Sequence, residues 1–215
     1  MSTVADNLLQ SADIDRLLGE QSARPINAGK VVKHIFTVKT GFFATTTIVT
    51  KSKLYADESV EVVWIKEVQS QDLQARFAKL KEFADKHSNT VFFVDATGCG
   101  RMAYELMKQA GIKDAQEVMF GSTCFKKQNR TEYFNKRAMC HVKLARSVAR
   151  QKIGLLKVKP SQKQKLKDQL SAMRAVFDDQ SRFKVPNNQD LVWVGIKSMD
   201  FVDALAMAFY DEGAT

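Results

Sequence analysis

At 215 residues the chain is long enough to bury one sizeable core, and nothing in its composition divides it into two halves. With 45% hydrophobic and 27% charged residues it reads as globular, and no apolar run approaches the roughly 20 residues of a membrane span, which excludes a membrane protein of that kind. The formal charge of +9 sits mainly between Gly121 and Pro186, where 17 Lys or Arg face 4 Asp or Glu, and a block of one sign points to a polyanionic partner.

Residues 1–20 (MSTVADNLLQSADIDRLLGE) set Leu8, Leu9, Ile14, Leu17 and Leu18 among acids. That pattern predicts a short amphipathic helix or a docking arm, disordered when alone. The arm, residues 1–28, precedes a single domain at 29–215, and residues 1–20 offer a surface to a protein partner or to a second copy of the chain. No basic start and apolar stretch mark a signal peptide, so the protein is expected to stay in the cytoplasm where it is made. Cys99, Cys124 and Cys140 are odd in number and lack a CxxC, which argues against a disulfide framework and a zinc site.

From Lys30 onward the runs KVVKHIFTVK, FFATTTIVT and VEVVWIKEV predict a three-stranded meander. Residues 70–87 carry Leu73, Phe77, Leu80 and Ala84 at helical spacing, and TVFFVD follows as a strand apolar on both faces, hence central. A helix at 101–110 with Met102, Leu106 and Ala110 on one side stops at Gly111, and EVMFG is a fifth strand. The periodicity then predicts a basic helix near 131–151, a second helix near 161–178 through Leu166, Leu170, Met173 and Phe177, a strand DLVWVGI, and a last helix from Phe201 to Tyr210. The order β-β-β-α-β-α-β predicts an α/β fold, a ribonuclease H-like mixed five-stranded sheet flanked by helices, with an added basic helical segment.

The stretch VDATGCGRM raises the question of what Asp95 does. It resembles the first motif of an S-adenosylmethionine methyltransferase and, loosely, a dinucleotide fingerprint. The parallel strands and second acid that those folds need are missing downstream. A plain strand-to-helix turn is the simpler structural reading. A third reading comes from KSMDFVDALAMAF, which sets Asp200 and Asp203 three residues apart on one helix face. Asp200 fits a helix cap, whereas Asp203 lies one turn further into an apolar helix, where an acid is costly without a partner.

From about Phe92 to the end, the segments FVDATGCGRMAYELMKQAG, YFNKRAM and SMDFVDALAMAF resemble the nuclease domain of phage large terminase subunits, itself similar to RuvC-type resolvases. The family pattern has a strand-ending acid followed by A-T-G-x-G, a helix beginning near N-K-R-A, and a closing S-P-D-x-x-D-A-L. Met199 departs from it. The resemblance implies phage origin, nucleic acid as partner, and a divalent-metal site, Mg²⁺ or Mn²⁺, at Asp95, Asp200 and Asp203. The G-x-x-x-x-G-K-[ST] motif of the packaging motor is missing.

That family carries its first acid on the first strand, and here no Asp or Glu occurs from Gln21 to Ala56. The first strand offers Thr37, Lys39 or Thr40 instead. A lysine there opposes metal loading and favours a phosphate, unless it points outward as a solvated strand residue. The expectation is a degenerate metal site, a pseudo-nuclease without cofactor, on a protein that binds RNA or DNA largely without sequence preference, RNA slightly favoured. The binding residues expected are Lys39, the approach Lys126, Lys127 and Arg130, and a cationic ridge of Lys136, Lys143, Arg146 and Arg150 on the basic helix. His141 reads as a packed histidine. Two alternatives stand beside this reading: an active two-metal endonuclease or resolvase with Glu61 replacing the missing ligand, and an adaptor acting through residues 1–20.

Overall fold

The computed structural model describes residues 6–19, 29–41, 46–186 and 198–211. A short strand β1 (Asp6–Asn7) leads into helix α1 (Ser11–Leu18). The β-branched runs then form the expected meander, β2 (Val31–Thr40), β3 (Thr46–Tyr55) and β4 (Val60–Gln69), paired antiparallel. Helix α2 (Leu73–Lys86) returns the chain to β5 (Thr90–Asp95), and α3 (Gly100–Gln109) leads to β6 (Ala115–Val118). A short α4 (Lys127–Glu132) precedes α5 (Lys136–Ala149), β7 (Ile153–Leu155) and α6 (Pro160–Ser171). The hairpin β8 (Arg174–Phe177) and β9 (Phe183–Lys184) follows, and the last described helix is α7 (Asp200–Ala206).

The main sheet runs β6-β5-β2-β3-β4-β7, with β5 parallel to β2 and β6, and β7 parallel to β4. Side chains alternate across a strand, so each strand feeds two cores. Phe36, Val38, Phe92 and Val94 pack on one side against α2 and α3, with Phe77, Leu80 and Met107. Ile35 and Phe93 face the other side, where α5, α6, α7 and α1 supply Met139, Leu144, Leu166, Leu205 and Ile14. Because Val38 pairs with Val94 in a parallel register, Lys39 and Asp95 fall on the same level and the same face of neighbouring strands, at their carboxyl ends.

Several expectations change. The sheet has six strands rather than five, because three residues after α5, too few to show an alternation, pair with β4. The helix predicted near 161–178 ends at Ser171; Arg174–Phe177 is a strand that turns back at Ser181, whose φ is +58°, and pairs with β9. Phe177 is 53% exposed rather than in register with a core. The basic helix starts at Lys136, not near 131, because the Asn135 side chain accepts the Ala138 N–H at 2.9 Å and caps it. On α3 the buried side is Ala103, Tyr104 and Met107, with Met102 exposed. The strand expected at DLVWVGI lies outside the described residues.

Helix α1 forms as the periodicity predicted, but Ile14 and Leu17 are buried in the chain's own core rather than held out for a partner. Arg16 donates to the Val148 carbonyl at 3.1 Å, and Lys163 donates to the Leu18 carbonyl at 2.9 Å. Among the described residues no helix is long and apolar enough to cross a membrane.

Candidate functional site

A cavity of about 500 Å³ opens at the carboxyl ends of β2 and β5, lined by Lys39, Asp95, Phe120, Arg137, Asp200 and Asp203 among others. The glycine turn that raised the question of Asp95 explains itself sterically. A Cβ at Gly100 would stand 1.7 Å from the Asp95 carbonyl oxygen, so the chain can leave β5 and enter α3 this tightly on glycine alone. The turn also lets the Thr97 N–H donate to Asp95 Oδ1 at 3.0 Å, which fixes the carboxylate. At Gly41 a Cβ would lie 3.2 Å from Asp200 Oδ2, so that glycine makes room for the acid.

Lys39, expected either to face a phosphate or to point to solvent, turns into the acid cavity rather than outward. Its Nζ lies 2.5 Å from Asp95 Oδ2 and 3.6 Å from Asp203 Oδ2, with the side chain 12% exposed. Burial by itself would lower the ammonium's pKa, but Asp203 and Asp95 outweigh burial and hold it above the usual lysine range. Asp203 is buried at the centre of a cation cluster. Its Oδ1 receives the Arg137 Nε at 3.2 Å and lies 2.7 Å from His141 Nε2. Burial would raise this carboxyl, yet Arg137, His141 and Lys39 together hold it far below the ordinary aspartate range. Asp200 is different: burial pushes its pKa up, and the hydroxyl of Ser198 donates to its Oδ2 at 2.5 Å.

Asp95, Asp200 and Asp203, the acids that the resemblance put at one site, do line one cavity. Their donor atoms do not fit a divalent ion as they stand. Both oxygens of Asp95 are engaged, by Lys39 and the Thr97 N–H, and both of Asp203 face protein cations. Among the described residues no group of three or more acids, histidines or cysteines is arranged to hold a metal. Glu61, the expected substitute ligand, is excluded by position. It opposes Lys53, which opposes His34, so it sits about 17 Å further back along the strands and two strands, about 10 Å, across. There its carboxylate is buried and bonded to Lys53 and Tyr55 at 2.9 and 3.1 Å.

Arg137 and His141 are the site residues that sequence reasoning missed, the one counted as general basic charge and the other as packing. The signal was present: they lie four apart, in line with Ala145 and Val148 on the apolar side of α5. A cation on a packed face needs an acid to meet. His141 is fully buried, as expected, and burial lowers its pKa against the pull of Asp203. Its Nδ1 has no hydrogen-bond partner among the described residues.

On α5, Lys136 of the expected cationic ridge is buried and two of its other cations, Lys143 and Arg146, are paired within the chain. Lys136 is buried, its Nζ 3.7 Å from the Phe125 ring centroid. Lys143 pairs with Asp211 at 2.5 Å, and Arg146 pairs with Glu132 at 2.6 Å and donates to the Tyr133 hydroxyl at 2.9 Å. Lys126 donates to the Asp211 carbonyl. Lys127, Arg130 and Arg150 are exposed. α5 is a central core helix, with Met139, Cys140, Val142 and Leu144 buried around most of its circumference.

No family profile matches the sequence, and no curated protein is detectably similar to it. Solved structures are similar in fold. The nuclease domain of the large terminase subunit gp2 of bacterial virus Sf6 aligns over 97% of this chain and 100% of its own, at 15% identity and a TM-score of 0.71. The large terminase nuclease of thermophilic phage G20c with bound magnesium aligns over 95% and 96%, at 14% identity and a TM-score of 0.51. The HK97 bacteriophage large terminase matches 96% of this chain with 44% of its own length, at 10% identity and a TM-score of 0.59. The mixed sheet, the flanking helices and the acid-lined cavity thus sit on the ribonuclease H-like fold of phage large terminase nuclease domains.

Proposed function

We propose that this chain is a nucleic-acid-binding protein that holds its ligand without cutting it, on a terminase-nuclease fold whose metal site is degenerate. The observation that carries the reading is the Lys39 ammonium beside Asp95 and Asp203. A divalent ion about 4 Å from that ammonium meets a repulsion of roughly 8 kcal/mol at an effective dielectric of 20, twice the figure for two unit charges. The carboxylates would have to release Lys39, Arg137 and His141 before they could gather a metal. Binding on this reading is electrostatic, weakened by salt and largely blind to sequence.

The rival reading, a two-metal endonuclease, draws on the magnesium in the G20c structure and the manganese in a K428A mutant of the Sf6 domain, and on the three acids that share one cavity here. Labelled single- and double-stranded DNA and RNA, incubated with Mn²⁺ or with EDTA, separate the two. Retention without products in either condition is the expected result. Cutting that requires Mn²⁺ and disappears in Asp95→Ala would sink the proposal.

A further inference from the structure

The cations of α5 are largely paired within the chain, and a second basic cluster lies on the α2 side of β4 and at the β4–β7 edge of the sheet. Lys66 leaves β4 on the α2 side, its Nζ 4.9 Å from the centroid of the Trp64 ring. Glu67, its neighbour in sequence, faces the other way and pairs with Lys165 at 2.9 Å. Around Lys66 stand Arg76 and Lys79 on α2 and Lys159 at the start of α6. None of these four cations has an ion-pair partner among the described residues, and Lys66, Lys79 and Lys159 are exposed.

The energetics of this cluster are the reverse of those on α5. Burial comes first and then Arg76, Lys79 and Lys159, and together they lower the pKa of Lys66: the charges acting on it most are all positive. Arg76 Nε is shielded from solvent with no hydrogen-bond partner among the described residues, an unmet donor of a kind that buried groups rarely leave. Like charges gathered together destabilise the free protein, and an incoming anion relieves the repulsion. Trp64 adds a half-buried aromatic face beside the cations, set against Phe36 at 6.0 Å between centroids. Cations that track a backbone, with an aromatic ring between them, are what a nucleic-acid strand requires of a surface.

We propose that Lys66, Arg76 and Lys79 beside Trp64, continued by Lys159 at the β4–β7 edge of the sheet, form the phosphodiester-binding surface of this protein, apart from the acid cavity. The proposal rests on the reading of the chain as a nucleic-acid binder and gives that reading a location. It assigns binding to a face that the cavity residues do not touch, so retention is independent of Lys39, Asp95 and Asp203.

The test compares the full chain with the variant Lys66→Gln/Lys79→Gln/Lys159→Gln, which changes exposed side chains and removes repulsion. The probes are fluorescein-labelled oligo(dT), oligo(U) and a DNA duplex, each titrated across a salt series. The triple variant is expected to bind the single strands at least about tenfold more weakly, and its slope of log K against log salt falls by about 2, roughly 0.7 for each phosphate that is no longer neutralised. Its melting temperature is expected to be equal to or above that of the parent. The control Lys143→Gln/Arg150→Gln is expected to keep most of the parent slope. Unchanged affinity and slope in the triple variant, with weakened binding in the control, would overturn this surface and leave nucleic-acid binding intact. A parent chain that retains none of the probes would overturn both.

Discussion

Lys39 and Asp95 form the tightest charged pair of the cavity, and what each does depends on the other. A buried ion pair contributes little net stability because both partners lose water, but removing one member strands the other. Lys39→Ala should therefore destabilise the chain by about 3–5 kcal/mol in urea unfolding at neutral pH. On the proposed reading Mn²⁺ leaves the parent's melting temperature unchanged and raises that of Lys39→Ala, since the variant offers carboxylates without the ammonium. An equal Mn²⁺ effect on both proteins would count against Lys39 as the group that excludes metal. His141 supplies a pH dependence. Its pKa is lowered in the fold, first by burial, so below its unfolded value of about 6.5 the unfolded chain binds the extra proton and stability falls as pH drops. Asp203 adds to this at lower pH, its contribution being lost below about 4, while the raised pKa of Asp200 works in the opposite direction. Urea midpoints measured from pH 7 to pH 5 should decline, and His141→Gln should flatten the decline.

Among the elements, α1 and α5 are where the local pattern and the final role part company. The leucine and isoleucine spacing of residues 1–20 is that of a docking helix, and the helix does dock, but on α5 and α6 of its own chain. Ile14→Ala should therefore cost about 2–5 kcal/mol of stability, read from denaturant unfolding, rather than changing assembly with no loss of stability. The basic helix shows the opposite error. Its cations fall on one side when plotted on a wheel, yet Asp211 and Glu132, distant or on another helix, take up Lys143 and Arg146. A wheel counts the charges of one element and cannot see the acids that other elements bring. The hairpin after α6 was read as helix for a related reason: Met173 and Phe177 keep helical spacing by chance, and the turn at Asp178–Ser181 is fixed by the Asp178 carboxylate accepting from the backbone of Gln180 and Arg182.

For the whole molecule, the alternation of strands and helices made the α/β fold legible, because periods of two and of 3.6 residues are local properties. The grouping of Asp95, Asp200 and Asp203 came only from the resemblance of three motifs, because nothing local in a strand end and a late helix says that they meet. The missing first-strand acid was also visible in the sequence alone, as a stretch from Gln21 to Ala56 without a carboxylate. What filled the gap was not. The parallel register of β2 on β5 selects Lys39 from three candidates and aims it at Asp95, and the packing of α5 across the sheet brings Arg137 and His141 onto Asp203. The same packing pairs off much of one basic surface, while Lys66, Arg76 and Lys79 near Trp64 have no ion-pair partner among the described residues. Sequence determined which elements form and which charges exist; tertiary structure alone decided which charges meet, because an ion pair depends on distance through space and not on separation along the chain.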